Sequence, residues 1–361
     1  MSGENLIALG PALSQMLGDT LYPQWNRSAQ FLNLINSFGG VSAGAGKNVS
    51  FPVQFTGTTA QTVADGSDVP STEYNQDNNV PATFQWANYR SSFQVSETEV
   101  DAAIGSEATP DKLRQIFADR VEGSAAQIAS AIEKDLLTGT GMDASGNPTI
   151  IGIYNALVSS GVYAGINTAT YSEWASNILA NGGVARALTS DLLEQADANV
   201  FNASNEDWGM LISTANVTRK YAQIFGPSST GTPLQRINDQ NAYNVGMPND
   251  GGMQQANLSF KGKPVYRNRL NPTGKMALVN PRWIKVKYLP MSPVPQDSVY
   301  SRMMAAEGGN GMTLKQSTGV MLHIKSLAKT GDSYKFSMKA TLAMCITRPN
   351  AFALLQDISE Q

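Results

Sequence analysis

Gly40-Val41-Ser42-Ala43-Gly44 has the spacing of a nucleophile elbow, in which a serine on a tight strand-to-helix turn attacks a carbonyl carbon with a histidine as base. The surroundings run the wrong way: a helical pattern precedes the motif and strand-like alternation follows it. The sole histidine, His323, sits in the alternating run Met321-Leu322-His323-Ile324 and reads as a packed or interface residue. A Gly/Ser hinge is the plainer reading. Gly46-Lys47 resembles the end of a phosphate loop, but Val41 stands where its first glycine belongs and Asn48 where its Ser or Thr belongs. Glu97, Glu99 and Asp101 alternate, so on a strand they would share one face, as a divalent-cation site or simply as an acidic surface. The stretch Lys261-Gly262-Lys263-Pro264-Val265-Tyr266-Arg267-Asn268-Arg269 is basic with one aromatic. A nucleic-acid groove interleaves several aromatics with its charges, so a strand edge or subunit contact fits better. The lone Cys345 can form neither an intrachain disulfide nor a cysteine-ligated zinc site. No catalytic constellation emerges, and the expectation is a protein that is no enzyme and needs no cofactor or metal.

Composition points toward contacts. Hydrophobic residues make up 42% of the 361, while charged residues are only 15%, against about 25% in ordinary globular proteins. Interface cores are depleted of charge, so a chain with a normal core and few charges suits a protein that hides its surface against other copies. A β-rich protein with an uncharged polar surface is the alternative. The charges are also segregated: residues 1–260 hold 11 basic and 24 acidic groups, residues 261–361 hold 15 and 5. Such asymmetry favours attraction between the two regions, within one subunit or across copies. There is no apolar run of ~18 residues to span a membrane. Residues 1–20 carry Glu4 and Asp19 without lysine or arginine, which argues against a signal peptide.

The elements expected to position these groups are mixed. Phe31, Leu32, Leu34, Ile35 and Phe38 mark a helix ending at Gly39-Gly40, followed by a Gly/Ala/Ser linker or turn to Gly46. Phe51, Val53 and Phe55 alternate, as do Phe84 and Trp86, and then Phe93 and Val95 in the opposite phase, which predicts a bulge or change of face. Between them Thr56–Pro81 is polar and acidic, with Asp65, Asp68, Glu73 and Asp77 and few core formers; it reads as the tip of a long hairpin. Thr109-Pro110-Asp111 opens a helix over Pro110–Thr138, with small or apolar residues at Val121, Ala125, Ile128, Ile132 and Leu136. Its middle, around Gly123, is small enough for close packing. Beyond it come short helices opened by Thr170-Tyr171-Ser172-Glu173 and by Ser190-Asp191, and a third over Asn216–Phe225. Strands are expected at Trp208–Ser213, Val265-Tyr266, Met276–Val279, Val320–Ser326 and Tyr334–Thr347.

That order of parts resembles the major capsid proteins of tailed double-stranded DNA phages, the Hong Kong 97 fold. Leu137-Thr138-Gly139-Thr140-Gly141 followed by Ile151-Gly152-Ile153 is similar to that family's spine-helix exit, and Thr341–Arg348 with Pro349-Asn350-Ala351-Phe352 to its last strand and C-terminal end. The resemblance implies an α+β chain divided into an N-terminal arm (1–50), an extended β-hairpin or E-loop (51–96), a peripheral domain with its spine helix (97–149), a mixed α/β axial domain (150–290) and return strands of the peripheral domain (291–361). It implies a shell protein that assembles with itself into hexamers and pentamers of an icosahedral head, found in the virion and assembled in the bacterial host cytoplasm. A separate scaffolding protein, a portal, decoration proteins and non-specifically contacted double-stranded DNA are the implied partners, with no membrane. On that reading Asp65, Asp68, Glu73, Asp77, Trp86 and Arg90 make intersubunit contact through the E-loop, and Gly123, Ala125, Ile128 and Ile132 pack the spine helix.

Alternatives are a cellular nanocompartment shell that encloses cargo enzymes, a β-rich surface or binding protein with the basic C-terminal third as ligand face, and a Ser42 hydrolase. Residues 51–100 contain no lysine, and Arg90 is their only base. The lysine–asparagine cross-link that some capsid proteins make from the E-loop therefore has no donor here. Particles boiled in denaturant should run as monomers on a gel, and a ladder of covalent oligomers would show otherwise.

Overall fold

The computed structural model describes residues 30–55, 62, 65–66, 79–98, 109–224, 254–290, 312–313, 321–327 and 331–360. Helix α1 (Gln30–Ser37) buries Phe31, Leu32, Leu34 and Ile35. Phe38, expected on the same face, is 54% exposed, because the chain reverses at Gly39 with φ +68°. The run that follows is no linker. Val41–Ala43 forms strand β1, and a side chain at Gly40 would lie 2.5 Å from Ile35 Cγ2 and 2.8 Å from Ile284 O, so only glycine lets the backbone in.

Strands β2 (Val49–Gln54) and β3 (Asn79–Phe84) pair antiparallel from Val49↔Phe84 to Gln54↔Asn79. Strand β4 (Ala87–Ser96) then joins a different sheet. The phase change between Phe84/Trp86 and Phe93/Val95 is thus a change of strand, with Trp86 in the joint. The paired hairpin runs over 49–84, not 51–96, and Arg90 lies outside it. The alternation ends at Ser96, since Glu97-Thr98 turn helically, so Glu97 is on no strand; Glu99 and Asp101 lie outside the described residues.

Helix α2 (Thr109–Thr138) is the expected long helix. Val121, Ile128, Ile132 and Leu136 are buried on it, and Ala125 is half-buried against the same core. Gly123 makes no close approach: a Cβ there would meet nothing within 4 Å. The tight contact is at the helix exit. A Cβ on Gly139 would fall 2.2 Å from Ile150 O, and one on Gly152 2.5 Å from the Leu137 carbonyl carbon, while Gly152 N–H donates to Gly139 O at 2.8 Å. The Leu-Thr-Gly and Gly-Ile phrases are two backbones in contact. They hold the small hairpin β5 (Thr140–Met142) and β6 (Pro148–Ile151) against the helix end, ahead of helix α3 (Ile153–Ala156).

After the β7 (Val162–Tyr163) and β8 (Ile166–Asn167) pair, the anticipated capping box yields a single 3-10 turn, Ser172–Trp174, with no side-chain cap. Strand β9 (Asn177–Leu179) precedes helix α4 (Ser190–Ser204), where Thr189 Oγ1 accepts from Leu192 N–H at 3.2 Å. Then come β10 (Met210–Ser213), α5 (Ala215–Ile224), β11 (Gln254–Phe260), β12 (Lys263–Arg267), β13 (Met276–Val279) and β14 (Ile284–Tyr288). The chain closes with β15 (Met312–Thr313), β16 (Met321–Ser326), β17 (Ser333–Ile346) and β18 (Ala353–Leu355).

Two six-stranded sheets result. One has the order β1-β14-β17-β16-β15 with β4 also paired to β17; the other has the order β11-β12-β10-β13-β18-β9. The first shares a core with α1 and α2, and α4 packs into a second core around Trp208, Leu211 and Leu278. The charge asymmetry is resolved partly within the subunit, since Lys261 pairs with Asp197 at 2.6 Å, Lys263 with Asp207 at 3.4 Å, and Arg348 with Glu206 at 2.6 Å.

Glu133 is the buried carboxylate on α2, 1% exposed. It accepts from Phe31 N–H at 2.7 Å, Leu32 N–H at 3.2 Å and Asn268 Nδ2 at 3.0 Å. Burial pushes its carboxyl from 4.5 up to about 7, with these donors pulling the other way. An acid whose folded pKa lies above its unfolded value favours folding most below the unfolded value, and that contribution is lost as pH rises through the folded one. Stability should therefore fall between pH 4.5 and 7, by up to roughly 3 kcal/mol, and Glu133→Gln should flatten that part of the denaturation profile relative to wild type.

Candidate functional site

The described part of the hairpin, β2 and β3, is joined to the body through residues set in alternation. In β2 and β3 every second residue faces inward. Phe51 stacks on Phe84 at 5.8 Å between ring centroids, and Phe84 meets Tyr163 edge-on at 5.6 Å. Phe55, just past β2, stacks on Tyr171 at 4.3 Å and meets Trp174 edge-on at 5.9 Å. Backbone bonds add to this, with Thr83 N–H donating to Ala164 O at 2.9 Å and Tyr163 Oη accepting from Ile346 N–H at 3.1 Å. Rings from three segments thus fix β2 and β3 to the body.

Trp86 fixes the turn between β3 and β4. It is buried, its Nε1 donates to Gly46 O at 3.0 Å, and a side chain at Gly44 would come within 2.7 Å of its ring. Gly44 and Gly46 of the supposed hinge are therefore the seat of an indole. Pro52 and Pro81 face each other across the ladder. At a pair that exchanges no hydrogen bonds, N–H groups point outward from both strands, and proline has none to offer.

The remaining site residues do not converge. Asp65 is exposed in the Asp65-Gly66 turn, while Asp68, Glu73 and Asp77 lie outside the described residues. Arg90 is exposed on β4 directly opposite Lys339. The phase change between Trp86 and Phe93, equally readable as a bulge, marks the strand break that separates Arg90 from the hairpin. The hydrolase reading fails on geometry: Ser42 Oγ accepts from Lys287 Nζ at 2.7 Å, and β14 and β17 separate β1 from the strand carrying His323. Cys345 is buried and its thiol is pushed up to about 12 by that burial, so it stays protonated. Among the described residues no group of three His, Cys, Asp or Glu could hold a metal ion, and no helix is long and apolar enough to cross a membrane. Glu133 escaped notice in the sequence, although it falls on the apolar stripe of Ala129, Ile132 and Leu136, where a charge needs a partner.

The chain with this strand pair on aromatic rings, long helix under a sheet and second mixed sheet also matches a known family by sequence. The model of the SU10 major capsid protein matches residues 17–359. The chain belongs to that family. It is a phage capsid shell protein, and its place is the virion capsid. The capsid of cyanophage A-1(L) shares the fold, with a TM-score of 0.70 and 18% identity over 94% of this chain and 96% of that one. The capsid of a native GTA particle gives a TM-score of 0.56 and 11% identity over 95% and 97% of the two chains. The SrpI encapsulin of Synechococcus elongatus gives 0.52 and 12% over 97% and 96%. No curated protein sequence matches the chain.

Replacing Trp86 with alanine removes a buried ring and its hydrogen bond. We expect a loss of roughly 3–5 kcal/mol, read by denaturant melting, with the fold retained by circular dichroism; a loss below 1 kcal/mol would mean that the indole does not hold the joint.

Proposed function

We propose that this capsid protein assembles into hexamers and pentamers of an icosahedral head through its hairpin, which lies across a neighbouring subunit. The observation that carries this is the mismatch between root and tip. The root is locked to the body by Phe51, Phe55 and Phe84, whereas residues 56–78 hold four carboxylates, no base and few core formers. An isolated two-stranded ribbon is marginal in water, so a neighbour's surface would supply its order. Asp65, Asp68, Glu73 and Asp77 would meet basic groups there. Exposed pairs contribute only about 0–1 kcal/mol each, which lets misplaced subunits leave before a shell closes. The role is structural, not enzymatic, and needs no cofactor. Assembly in the host cytoplasm with a separate scaffolding protein and a portal, decoration of the shell, and enclosure of the double-stranded genome belong to the same reading.

A nanocompartment shell is the second reading, because an encapsulin shares the fold; the family match favours the phage head. Nucleic acid inside purified particles separates the two. Exchanging residues 57–78 for a short Gly-Ser turn keeps the Gln54↔Asn79 register. The shortened protein should fold with an unchanged circular dichroism spectrum and form no closed shells in electron micrographs. Normal shells from it would refute the hairpin contact.

A further inference from the structure

The sheet containing β17 has one property that assembly through the hairpin does not use. Its strands β1, β4, β14, β15, β16 and β17 contain no Asp or Glu, and their cations are Arg90, Lys285, Lys287, Lys325, Lys335 and Lys339. Register places all six positions on one side. Arg90 lies opposite Lys339, which on its other flank lies opposite His323. Lys325 is opposite Ser337, while Lys285 and Lys287 are opposite Cys345 and Ala343; Thr341, Ala343 and Cys345 are buried, so the open part of this side is the stretch around Arg90 and Lys339. Residues 335, 337, 339, 343 and 345 of one strand share a parity, and side chains alternate with period two. The other side carries Tyr89, Phe93, Met338, Leu342, Val286 and Ile284, packed into the core beneath α2.

Directly opposed like charges such as Arg90 and Lys339 destabilise a sheet, and the fold keeps them without a carboxylate anywhere on the strands. Their neighbours on that face are Asn88, Ser92, Gln94, Ser337 and Thr341. Lysine and arginine interspersed with short hydroxyl and amide side chains form the contact set of a nucleic-acid backbone, which positions without reading sequence. A protein-binding face would carry aromatic or methionine anchors at its centre; among the strand positions on this side none is Phe, Tyr or Trp, and Met321 is the one methionine. Single-stranded DNA would need rings for stacking, so the duplex is the better fit.

We propose that the Arg90/Lys339 face of this sheet contacts the phosphates of duplex DNA without sequence preference and therefore looks into the lumen of the shell. This rests on the shell reading for its second half only, because duplex binding can be measured on the purified full-length protein in solution. Salt dependence reports the phosphates neutralised, with a slope of about −0.9 each. Binding of a random 30-base-pair duplex, followed by fluorescence anisotropy from 50 to 200 mM salt, should weaken at least ~tenfold in Arg90→Gln/Lys339→Gln, with the slope reduced by about two. Lys261→Gln, which removes a cation engaged with Asp197, should leave the slope unchanged. In DNA-filled heads Lys339 should resist acetylation, and in emptied heads it should react. Three results would overturn the proposal: no duplex binding by the wild-type protein, an unchanged slope in the double variant, or equal acetylation in full and empty heads. Unchanged DNA affinity with failed assembly would also overturn it, and would assign the face to the acidic residues 56–78 of a second copy. Failure to form particles at all would strike the shell reading and leave the solution result standing.

Discussion

A carboxylate with no access to water must find its donors inside the protein, and Glu133 finds them on parts of the chain far apart in sequence. Phe31 and Leu32 lie about a hundred positions before it, and Asn268 lies 135 positions after it, just past β12. The donors at α1 are first-turn amides, which have no partner within their own helix. One side chain therefore answers the unmet valence of α1, seats that helix on α2 and ties both to the loop after β12. An unpaired buried charge costs several kcal/mol, so these segments must dock together or leave it stranded. The position of the arm-side helix, and with it β1 and the glycines that seat Trp86, follows from that requirement.

The sheet around β17 divides its two faces by chemistry where β17 pairs with β4, whereas toward β14 both faces are buried, with Ala343 and Cys345 on the cationic side. Its apolar side is closed by α2, where Tyr89 Oη donates to Asp135 Oδ2 at 2.7 Å, while the cationic side has no acid among its own strands. The second sheet behaves differently. Its cations Lys261 and Lys263 are engaged by Asp197 and Asp207 and lie over the rings of Phe260 and Trp208. The segregation of charge along the chain thus has two destinations, one inside the subunit and one facing outward.

Much of this was legible in the sequence wherever a pattern was long. The Thr-Pro-Asp start and the spaced apolar residues gave α2 to within one residue, and alternation gave β2, β16 and β17 closely, while the first half of β3 reads as part of the polar tip. Short or shared patterns hid the rest. Three residues of β1 inside a glycine run leave no alternation to see, and its partner lies more than 240 positions away. Arg90 reads as part of the hairpin because the phase change between Phe84/Trp86 and Phe93/Val95 looks the same for a bulge within one strand as for a change of strand. Pairing distance also concealed the cationic face: its residues are scattered from 90 to 339, and only register across β4, β17 and β16 brings them to one row. The candidate site was legible as composition, a tip rich in acid and poor in core, and not as geometry.

The facing prolines of the hairpin bear on how such a protein survives before it is used. On the proposed assembly, subunits would be concentrated before they close into shells, and ribbons with open edges at high concentration invite strand-to-strand fusion. Pro52 and Pro81 blunt both edges of the ribbon at the same level, so a second ribbon cannot extend the ladder past them. Copies can meet through side chains, which release, but cannot zip into a continuous cross-strand fibre, which would not.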